Sequence, residues 1–322
     1  MSLRGVGLGV VWWLGAVASC VAPVVVNPYP VQQWAALATG AGVRVAVVDS
    51  GVEATLPQLT GRVAAGRDLL PGRARCAGHG TAVAAAIVAV APGVTIVPVR
   101  VSDGDPADAD GAGRVADGIR WAAGHTSVIN ISLVVGVDDP RMRAAVAYAV
   151  RRGVVVVAAA GNDPSRPVTY PAAYPGVIGV GAVLSSGAPA SFSPDGPAVD
   201  LVAAGDAGTS VAAGFVSGAV ALVRERFLGL PGAAVADRLV ATSDRARRLN
   251  PYRALAEGGS RSAAPLAVSP AIRTGSAYAA GDVPARSRSL RFVAVVLGLG
   301  AAATVTGVSV ARGRRRGWRP GR

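Results

Sequence analysis

Predominantly apolar runs of four to seven residues, rich in valine, constrain the fold of this 322-residue chain more than any other feature. Such runs predict strands buried on both faces, because a strand with one face in water alternates apolar and polar residues. Strands that alternate with helices predict an α/β fold, a doubly wound parallel sheet with helices on both faces. The predicted strands are 43–48, 95–101, 128–133, 154–159, 177–183 and 199–202, and the predicted helices are 81–90, 113–123, 140–151, 210–227 and 233–243.

The net charge of +13 comes mainly from outside this α/β region. Residues 40–257 hold 20 arginines and 18 acidic residues, whereas the last forty residues hold most of the excess. A nucleic-acid-binding domain carries its basic patch on the folded part. The charge distribution therefore argues against nucleic acid as a partner.

Both ends of the chain carry apolar segments typical of membrane targeting. Residues 1–18 contain one charge, Arg4, and end in Ala16-Val17-Ala18, which predicts a signal peptide cleaved after Ala18. An uncleaved anchor is the alternative. Residues 292–311 hold no charge over twenty positions, which is enough for one C-terminal transmembrane helix.

Arginines flank this predicted span on both sides, more densely after it, which predicts a cytoplasmic tail over 312–322. Residues 258–291 are rich in Gly, Ser, Ala and Pro and predict a linker. We therefore expect a single-pass protein of the cell membrane with an extracytoplasmic domain over 40–257, preceded by an extension over 19–39.

Cys20 and Cys76 are the only cysteines. In an oxidising compartment the pair predicts one disulfide. The string Val17-Ala18-Ser19-Cys20 also resembles a lipoprotein cleavage box, which would make Cys20 a lipid carrier. We favour the disulfide, because lipidation would leave Cys76 as a lone thiol.

Four loops carry candidate chemistry, although each has an ordinary structural explanation. Asp49 ends a predicted strand before Gly51, as a turn aspartate also would. His79 lies between Gly78 and Gly80, where a small-residue loop opens a helix, and the chain has only one other histidine, His125.

The other two candidates lie further along the chain. Ser210 follows Gly208-Thr209 at a helix start, where a serine is commonly an N-cap, but where backbone N–H groups can also hold an oxyanion. Asn162 follows a buried strand and could donate its side-chain N–H to the same oxyanion. Asp, His, Asn and Ser at four strand ends, in that order, indicate nucleophilic acyl-transfer chemistry.

The strings around these residues resemble the signatures of the subtilase family over roughly residues 40–257. They are Val-Ala-Val-Val-Asp-Ser-Gly-Val, Gly-His-Gly-Thr-Ala-Val-Ala, Ala-Ala-Ala-Gly-Asn and Gly-Thr-Ser-Val-Ala-Ala. The resemblance implies a subtilisin-like fold and a serine endopeptidase. It implies that Asp49 orients His79, that His79 is the general base, that Ser210 is the nucleophile and that Asn162 is the oxyanion donor.

The same resemblance implies a substrate groove lined by Ser132, Leu133, Val134 and Gly161. Val134 and Gly214 depart from the family pattern, since a small residue is common at the first position and proline at the second. These departures bear on substrate preference and the level of activity. They leave the reaction class unchanged.

The layout of the whole chain is similar to that of the mycosins, proteases attached to type VII secretion systems. A cysteine just before the catalytic histidine, here Cys76, also resembles mycosins, where it ties down an N-terminal extension. The resemblance implies secretion-system membrane components as partners, besides protein or peptide substrates. A structural or scaffold subunit with weak or dispensable protease activity is the alternative function. The sequence contains neither a cluster of metal ligands nor a phosphate-binding loop, so we expect no metal and no cofactor.

Overall fold

The computed structural model describes residues 22, 24–70, 72, 76–103 and 111–257. Cys20, the predicted signal peptide over 1–18, the linker over 258–291, the membrane span over 292–311 and the tail over 312–322 lie outside these residues. Within the described ranges, no helix combines the length and the apolar character that a bilayer crossing requires.

Among the described residues, seven strands, all paired in parallel, form one sheet. Their backbone hydrogen bonds set the order β2-β3-β1-β4-β5-β6-β7 once the strands are numbered along the chain. The strands are β1 (Arg44–Asp49), β2 (Arg67–Asp68), β3 (Thr95–Arg100), β4 (Val128–Ile131), β5 (Val155–Ala159), β6 (Val177–Val183) and β7 (Leu201–Ala204).

Six α-helices in the described part of the chain cover the two faces of this sheet, as the alternating pattern predicts. They are α1 (Gly78–Val90), α2 (Gly111–Ala122), α3 (Pro140–Arg151), α4 (Thr209–Arg226), α5 (Gly232–Ala241) and α6 (Pro251–Ala256). Helices α1, α4, α5 and α6 share one hydrophobic core with the sheet, and α2 and α3 share the core on the opposite face. The predicted parallel sheet with helices on both faces is confirmed.

The differences from the predicted elements are small and have local causes. Strand β2 was not predicted, because Arg67 and Asp68 form no apolar run and pair only with β3 at the edge of the sheet. Strand β7 begins and ends two residues later than the predicted run over 199–202. Helix α4 begins at Thr209 with Gly208 as its N-cap, so the N-cap explanation for Ser210 is wrong.

The sheet reverses its winding at β1, and this reversal creates the crevice that holds the site. Strand β1 pairs with β3 on one side and with β4 on the other. The connections that leave the carboxyl ends of β1 and β4 therefore diverge, and in open α/β sheets ligands bind in the crevice outside such a switch point. Asp49 is the last residue of β1, and Ser132 immediately follows β4.

Helix α1 starts in direct contact with the end of β1, and glycine makes this contact possible. A Cβ on Gly80 would lie 2.2 Å from the carbonyl oxygen of Gly51 and 3.1 Å from the Cβ of Asp49. Gly51 has a φ of +103°, in the region that only glycine adopts at little cost. The two glycines together let His79 approach the carboxylate of Asp49.

The segment that precedes β1 packs on the same face as α1 and α4. Trp34 is almost fully buried and donates its indole N–H to the carbonyl of Val90 at 3.2 Å. The hydroxyl of Tyr29 accepts a hydrogen bond from the backbone N–H of Ala204 at 3.1 Å, and its ring meets Phe215 edge-on. The predicted extension over 19–39 therefore contributes Trp34 and Ala38 to the hydrophobic core, while Val24 and Val26 are exposed.

Candidate active site

The structure brings all eight residues predicted for the site to one cavity of about 600 Å³. The cavity lies at the carboxyl ends of β1, β4 and β5, beneath the first turns of α1 and α4. The eight lining residues are Asp49, His79, Ser132, Leu133, Val134, Gly161, Asn162 and Ser210.

The side chains of Asp49 and His79 are in direct polar contact in the cavity. The Nδ1 atom of His79 lies 2.8 Å from Oδ1 and 3.0 Å from Oδ2 of Asp49. The backbone N–H of Ser50 also donates to Asp49 Oδ1 at 2.7 Å. Because an ionised carboxylate only accepts, we infer that Nδ1 of His79 carries a proton and donates it, which leaves the Nε2 lone pair for the cavity.

The side chains of Asp49 and His79 differ in burial. Asp49 is fully buried, whereas 47% of the His79 side chain is exposed. The negative charge of Asp49 raises the pKa of His79 above its ordinary value of 6.5; burial opposes this shift, and the hydrogen bond to Asp49 adds to it. A buried carboxylate thus stabilises the imidazolium that would form when His79 takes up a proton.

Ser210 lies in the first turn of α4, where its hydroxyl reaches the cavity. In this structure Oγ donates a long hydrogen bond of 3.4 Å to the carbonyl of Ser132. Attack on a substrate requires Oγ to turn toward His79, and such contacts commonly tighten only when substrate is bound. The backbone N–H of Ser210 has no acceptor within the helix, because the first four N–H groups of a helix lack one.

The amide of Asn162 is oriented by its neighbour Thr209. The Oδ1 atom accepts from the backbone N–H of Thr209 at 2.9 Å and from its hydroxyl at 3.1 Å. The Thr209 hydroxyl in turn accepts from the N–H of Gly161 at 3.1 Å. A backbone N–H can only donate, so the Asn162 atom that faces the N–H of Thr209 must be the oxygen Oδ1. The nitrogen Nδ2 then points away from Thr209 and can donate to another group. This is the orientation that an oxyanion donor needs.

A chain of buried polar side chains behind Ser210 was not predicted from the sequence. Ser217 Oγ donates to Asn130 Oδ1 at 2.9 Å, and Asn130 Nδ2 donates to Ser132 Oγ at 2.9 Å. Ser132 Oγ then donates to the carbonyl of Ser210 at 3.3 Å. Asn130 and Ser217 are completely buried. The chain ties the end of β4 to α4 and so fixes the distance between Ser132 and Ser210.

Several further residues line the cavity without having been singled out in the sequence. Thr209 adjoins Ser210 and Ser50 adjoins Asp49, so both could have been predicted from their positions next to the motifs. Thr169 and Arg166 line the cavity because residues 166–170 fold back beside residues 134–136. The pattern of residues along the chain does not reveal such a contact between distant segments. The other lining residues missed are Ser102 and Asp163.

Neither His125 nor Cys76 lines this cavity. His125 stacks on Trp121 at 4.1 Å between ring centroids, and its Nδ1 lies 2.7 Å from the carbonyl of Trp121. Cys76 is partly buried two residues before α1. Because Cys20 lies outside the described residues, the disulfide between them stays a prediction. In the described part of the chain, no group of three or more His, Cys, Asp or Glu side chains is arranged to hold a metal ion.

A parallel sheet with Asp, His and Ser side chains from one strand end and two helix starts at its carboxyl edge defines the class of α/β hydrolytic folds with an Asp-His-Ser arrangement. Comparison with known proteins narrows the class. The sequence profile described as the Subtilase family matches residues 40–261, and the chain belongs to this family.

Similar proteins are known at the level of both sequence and structure. Subtilisin E of Bacillus subtilis (strain 168) is 35% identical over a region that covers 67% of this chain and 66% of that protein. The chain thus spans just under two thirds of the length of this curated relative.

Two solved structures share the fold. MycP3, a protease from the type VII (ESX-3) secretion system, is 29% identical with a TM-score of 0.63, covering 73% of this chain and 90% of that one. MycP1 from Mycobacterium smegmatis is 27% identical with a TM-score of 0.61, and the match covers 79% of this chain and 87% of that one. The predicted resemblance to the subtilases, mycosins included, is confirmed.

The raised pKa of His79 predicts the acid limb of the pH dependence. His79 must be neutral to accept a proton, so activity is lost as the pH falls through its pKa. We expect the acid limb of kcat/KM, which reports the free protein, to have its midpoint above about 6.5. In Asp49→Asn the charge is gone and burial alone acts, so the midpoint should fall as kcat drops. A wild-type midpoint at or below the ordinary histidine value would contradict the interaction with Asp49.

Asn162 can be tested with two substitutions that separate its two hydrogen-bonding roles. Asn162→Leu removes both the acceptor for Thr209 and the Nδ2 donor, whereas Asn162→Asp keeps the acceptor and loses the donor. If Nδ2 binds the oxyanion, both variants should lower kcat by about 10²–10³ with little change in KM. A peptide-hydrolysis assay with the melting temperature of each variant measures this. Normal kcat in Asn162→Asp would show that only the Thr209 contact matters.

Proposed function

We propose that this protein is a serine endopeptidase that hydrolyses peptide bonds by acyl transfer through Ser210. The observation that carries the proposal is the 2.8 Å contact between His79 and the buried Asp49, in the cavity that also holds Ser210 and Asn162. Membership of the subtilase family supports the same reaction class.

The cavity offers a side chain for each step of such a reaction. Ser210 Oγ attacks the carbonyl carbon of the substrate while Nε2 of His79 takes the hydroxyl proton. In this scheme the oxygen that becomes negative accepts hydrogen bonds from Asn162 Nδ2 and from the backbone N–H of Ser210. His79 then gives its proton to the departing amine, which leaves an acyl group on Ser210.

Water reverses these steps in the second half of the reaction. It attacks the acyl carbon, His79 takes its proton, and Ser210 leaves as the restored hydroxyl with that proton. Asp49 holds the imidazole in one orientation throughout and offsets its positive charge while it is protonated. No metal or cofactor takes part in this scheme.

The proposal extends to the setting of the reaction. We infer a membrane-anchored, extracytoplasmic protease of the mycosin type, attached to a type VII secretion system and acting on protein or peptide substrates. Its support is the likeness to MycP1 and MycP3, together with the apolar segments and the arginine-rich tail in the sequence. The scaffold alternative retains the same attachment but does not require Ser210.

A fluorophosphonate probe tests the nucleophile directly. We expect the purified extracytoplasmic part of the wild-type protein to be labelled at Ser210, as mapped by mass spectrometry, because His79 activates that hydroxyl. Ser210→Ala should lose labelling and peptide hydrolysis, whereas the matched control Ser186→Ala changes an exposed serine and should retain both. Secretion that survives Ser210→Ala in cells would favour the scaffold function. A folded wild-type protein that the probe does not label would refute the protease.

The orientation in the membrane has its own test. Protease added to intact cells or spheroplasts should digest the domain over 40–257 but spare an epitope placed after Arg322, because the arginines over 312–322 are expected to stay in the cytoplasm. Permeabilised cells serve as the control and should lose both. Digestion of the epitope in intact cells would reverse the proposed orientation.

A further inference from the structure

The amino edge of the sheet lies opposite the cavity. Helix α4 begins at the cavity and runs for 18 residues, about 27 Å, before it ends at Arg226. The turns over 123–127 and 152–154 follow α2 and α3 and lead into β4 and β5. Because the described strands are parallel, these turns lie at one edge with the start of β1 and with the turn over 227–231 after α4. We call these parts, with the last turns of α2 and α3, the amino-edge surface.

Arginine side chains brace the amino-edge surface by donating to backbone carbonyls. Arg44 donates from Nε to a carbonyl of the turn over 123–127 at 3.1 Å, and Arg152 donates to another, also at 3.1 Å. Arg224, in the last turn of α4, donates to the carbonyl of Gly153. A carbonyl carries no net charge, so these hydrogen bonds hold the turns together without neutralising the arginines.

Four exposed arginines of the amino-edge surface form no ion pair with any carboxylate in the described part of the chain. They are Arg44, Arg120, Arg151 and Arg152. At the carboxyl edge, by contrast, Arg141 and Arg143 at the start of α3 each form an ion pair with an aspartate. Residues 40–257 are nearly balanced in charge as a whole, so the unpaired positive charge is concentrated at one edge.

Helix dipoles explain part of this pattern. Arg120 and Arg151 lie in the last turns of α2 and α3, where the dipole favours a positive charge. The dipole does not explain Arg44, which begins a strand, or Leu228, which is 88% exposed in the turn after α4. A single exposed leucine is common on proteins, so its setting decides what it indicates.

Aromatic side chains complete that setting. Arg120 and Arg152 lie over the half-buried ring of Tyr148, at 5.9 and 5.6 Å from its centroid. Trp121, also half-buried, lies on the same surface. Arginines, partly exposed aromatic rings and a protruding leucine are together typical of a protein surface that lies at the boundary between a bilayer and water.

The chain leaves the described domain beside the amino-edge surface. Arg226, the last residue of α4, donates from Nε to the carbonyl of Leu255 at 3.1 Å, two positions before the last described residue, Glu257. The predicted linker over 258–291 and the predicted span over 292–311 follow in the sequence. If the span anchors the protein as proposed, the domain is tethered to the bilayer, and even a weak second contact with it is favoured.

We propose that the amino-edge surface docks on the membrane, with its arginines binding the phosphate groups of anionic lipids and Leu228 entering the headgroup region. Arginine matches phosphate in both charge and hydrogen-bonding geometry. Among anionic partners, the bilayer is the one that the predicted span brings to this surface. Docking turns the cavity, at the opposite edge, away from the bilayer and toward substrates in water. This inference rests on the proposed membrane attachment and adds the orientation of the domain.

Hydrogen exchange of the full chain in lipid nanodiscs tests the docking. Discs of phosphatidylcholine alone are compared with discs in which part of the lipid is phosphatidylglycerol. We expect the anionic lipid to slow amide exchange over 123–127, 152–154 and 227–231, and added salt to reverse this by screening the charges. The turn over 185–188 follows β6 at the carboxyl edge and should exchange equally in both discs.

A double variant, Arg120→Gln with Arg151→Gln, removes two charges and leaves the carbonyl contacts that brace the turns in place. Each arginine near an anionic surface contributes a factor of about 5, so the ratio of docked to free domain should fall by about 25-fold. The matched control, Arg141→Gln with Arg166→Gln, removes the same charge from exposed positions at the carboxyl edge and should dock like wild type. In neutral discs both variants should exchange like wild type.

Each outcome decides the proposal. Equal exchange in the two discs, slowing that persists in high salt, or slowing that the control variant also loses would overturn it. Slowing seen only in native membranes would overturn it in favour of a protein partner. If the double variant does not fold, Leu228→Ser replaces it, and undiminished slowing in that variant would refute the docking. A full chain that does not enter the discs would overturn the membrane attachment and the docking together, while labelling of Ser210 would still support a peptidase.

Discussion

The contact between the start of α1 and the carboxyl end of β1 is the constraint on which the rest of the site depends. It brings the fully buried side chain of Asp49 into contact with the imidazole of His79, which is about half exposed and lines the cavity. The contact exists because Gly80 has no side chain: any Cβ there would collide with the carbonyl of Gly51. A carboxylate so enclosed is costly to bury, and the N–H of Ser50 and the ring of His79 offset that cost by hydrogen bonding.

The second constraint acts on the other side of the cavity, between β4 and α4. Asn130 and Ser217 are polar groups in a hydrophobic core, where each unpaired hydrogen-bonding atom would cost about 1–3 kcal/mol. Because each is paired with the next, they favour one register of α4 against the sheet over its alternatives. The position of Ser210 relative to Ser132 follows from that register, and so does the direction of the α4 N–H groups.

The site therefore combines rigid and variable parts. The groups proposed to carry the chemistry are fixed by strand ends, helix starts and buried hydrogen bonds. Other walls of the cavity are loops, and Val134, Gly161 and Thr169 line it there. Loops on a rigid scaffold can vary in sequence without changing the fold that supports them.

The sequence by itself determined the architecture and the residues that face each other across the cavity. Buried parallel strands consist mostly of apolar residues, so short stretches of the sequence show where they lie. Polar residues close to glycines at the ends of these strands mark the carboxyl edge of the sheet. Only the tertiary structure decided the buried chain and the pocket. Ser217 and Asn130 are 87 positions apart, and alone each is an ordinary helix serine or strand asparagine. Thr169 and Arg166 join the cavity only because their segment pairs with residues 134–136, and hydrogen bonds between distant segments leave no periodic trace in a sequence.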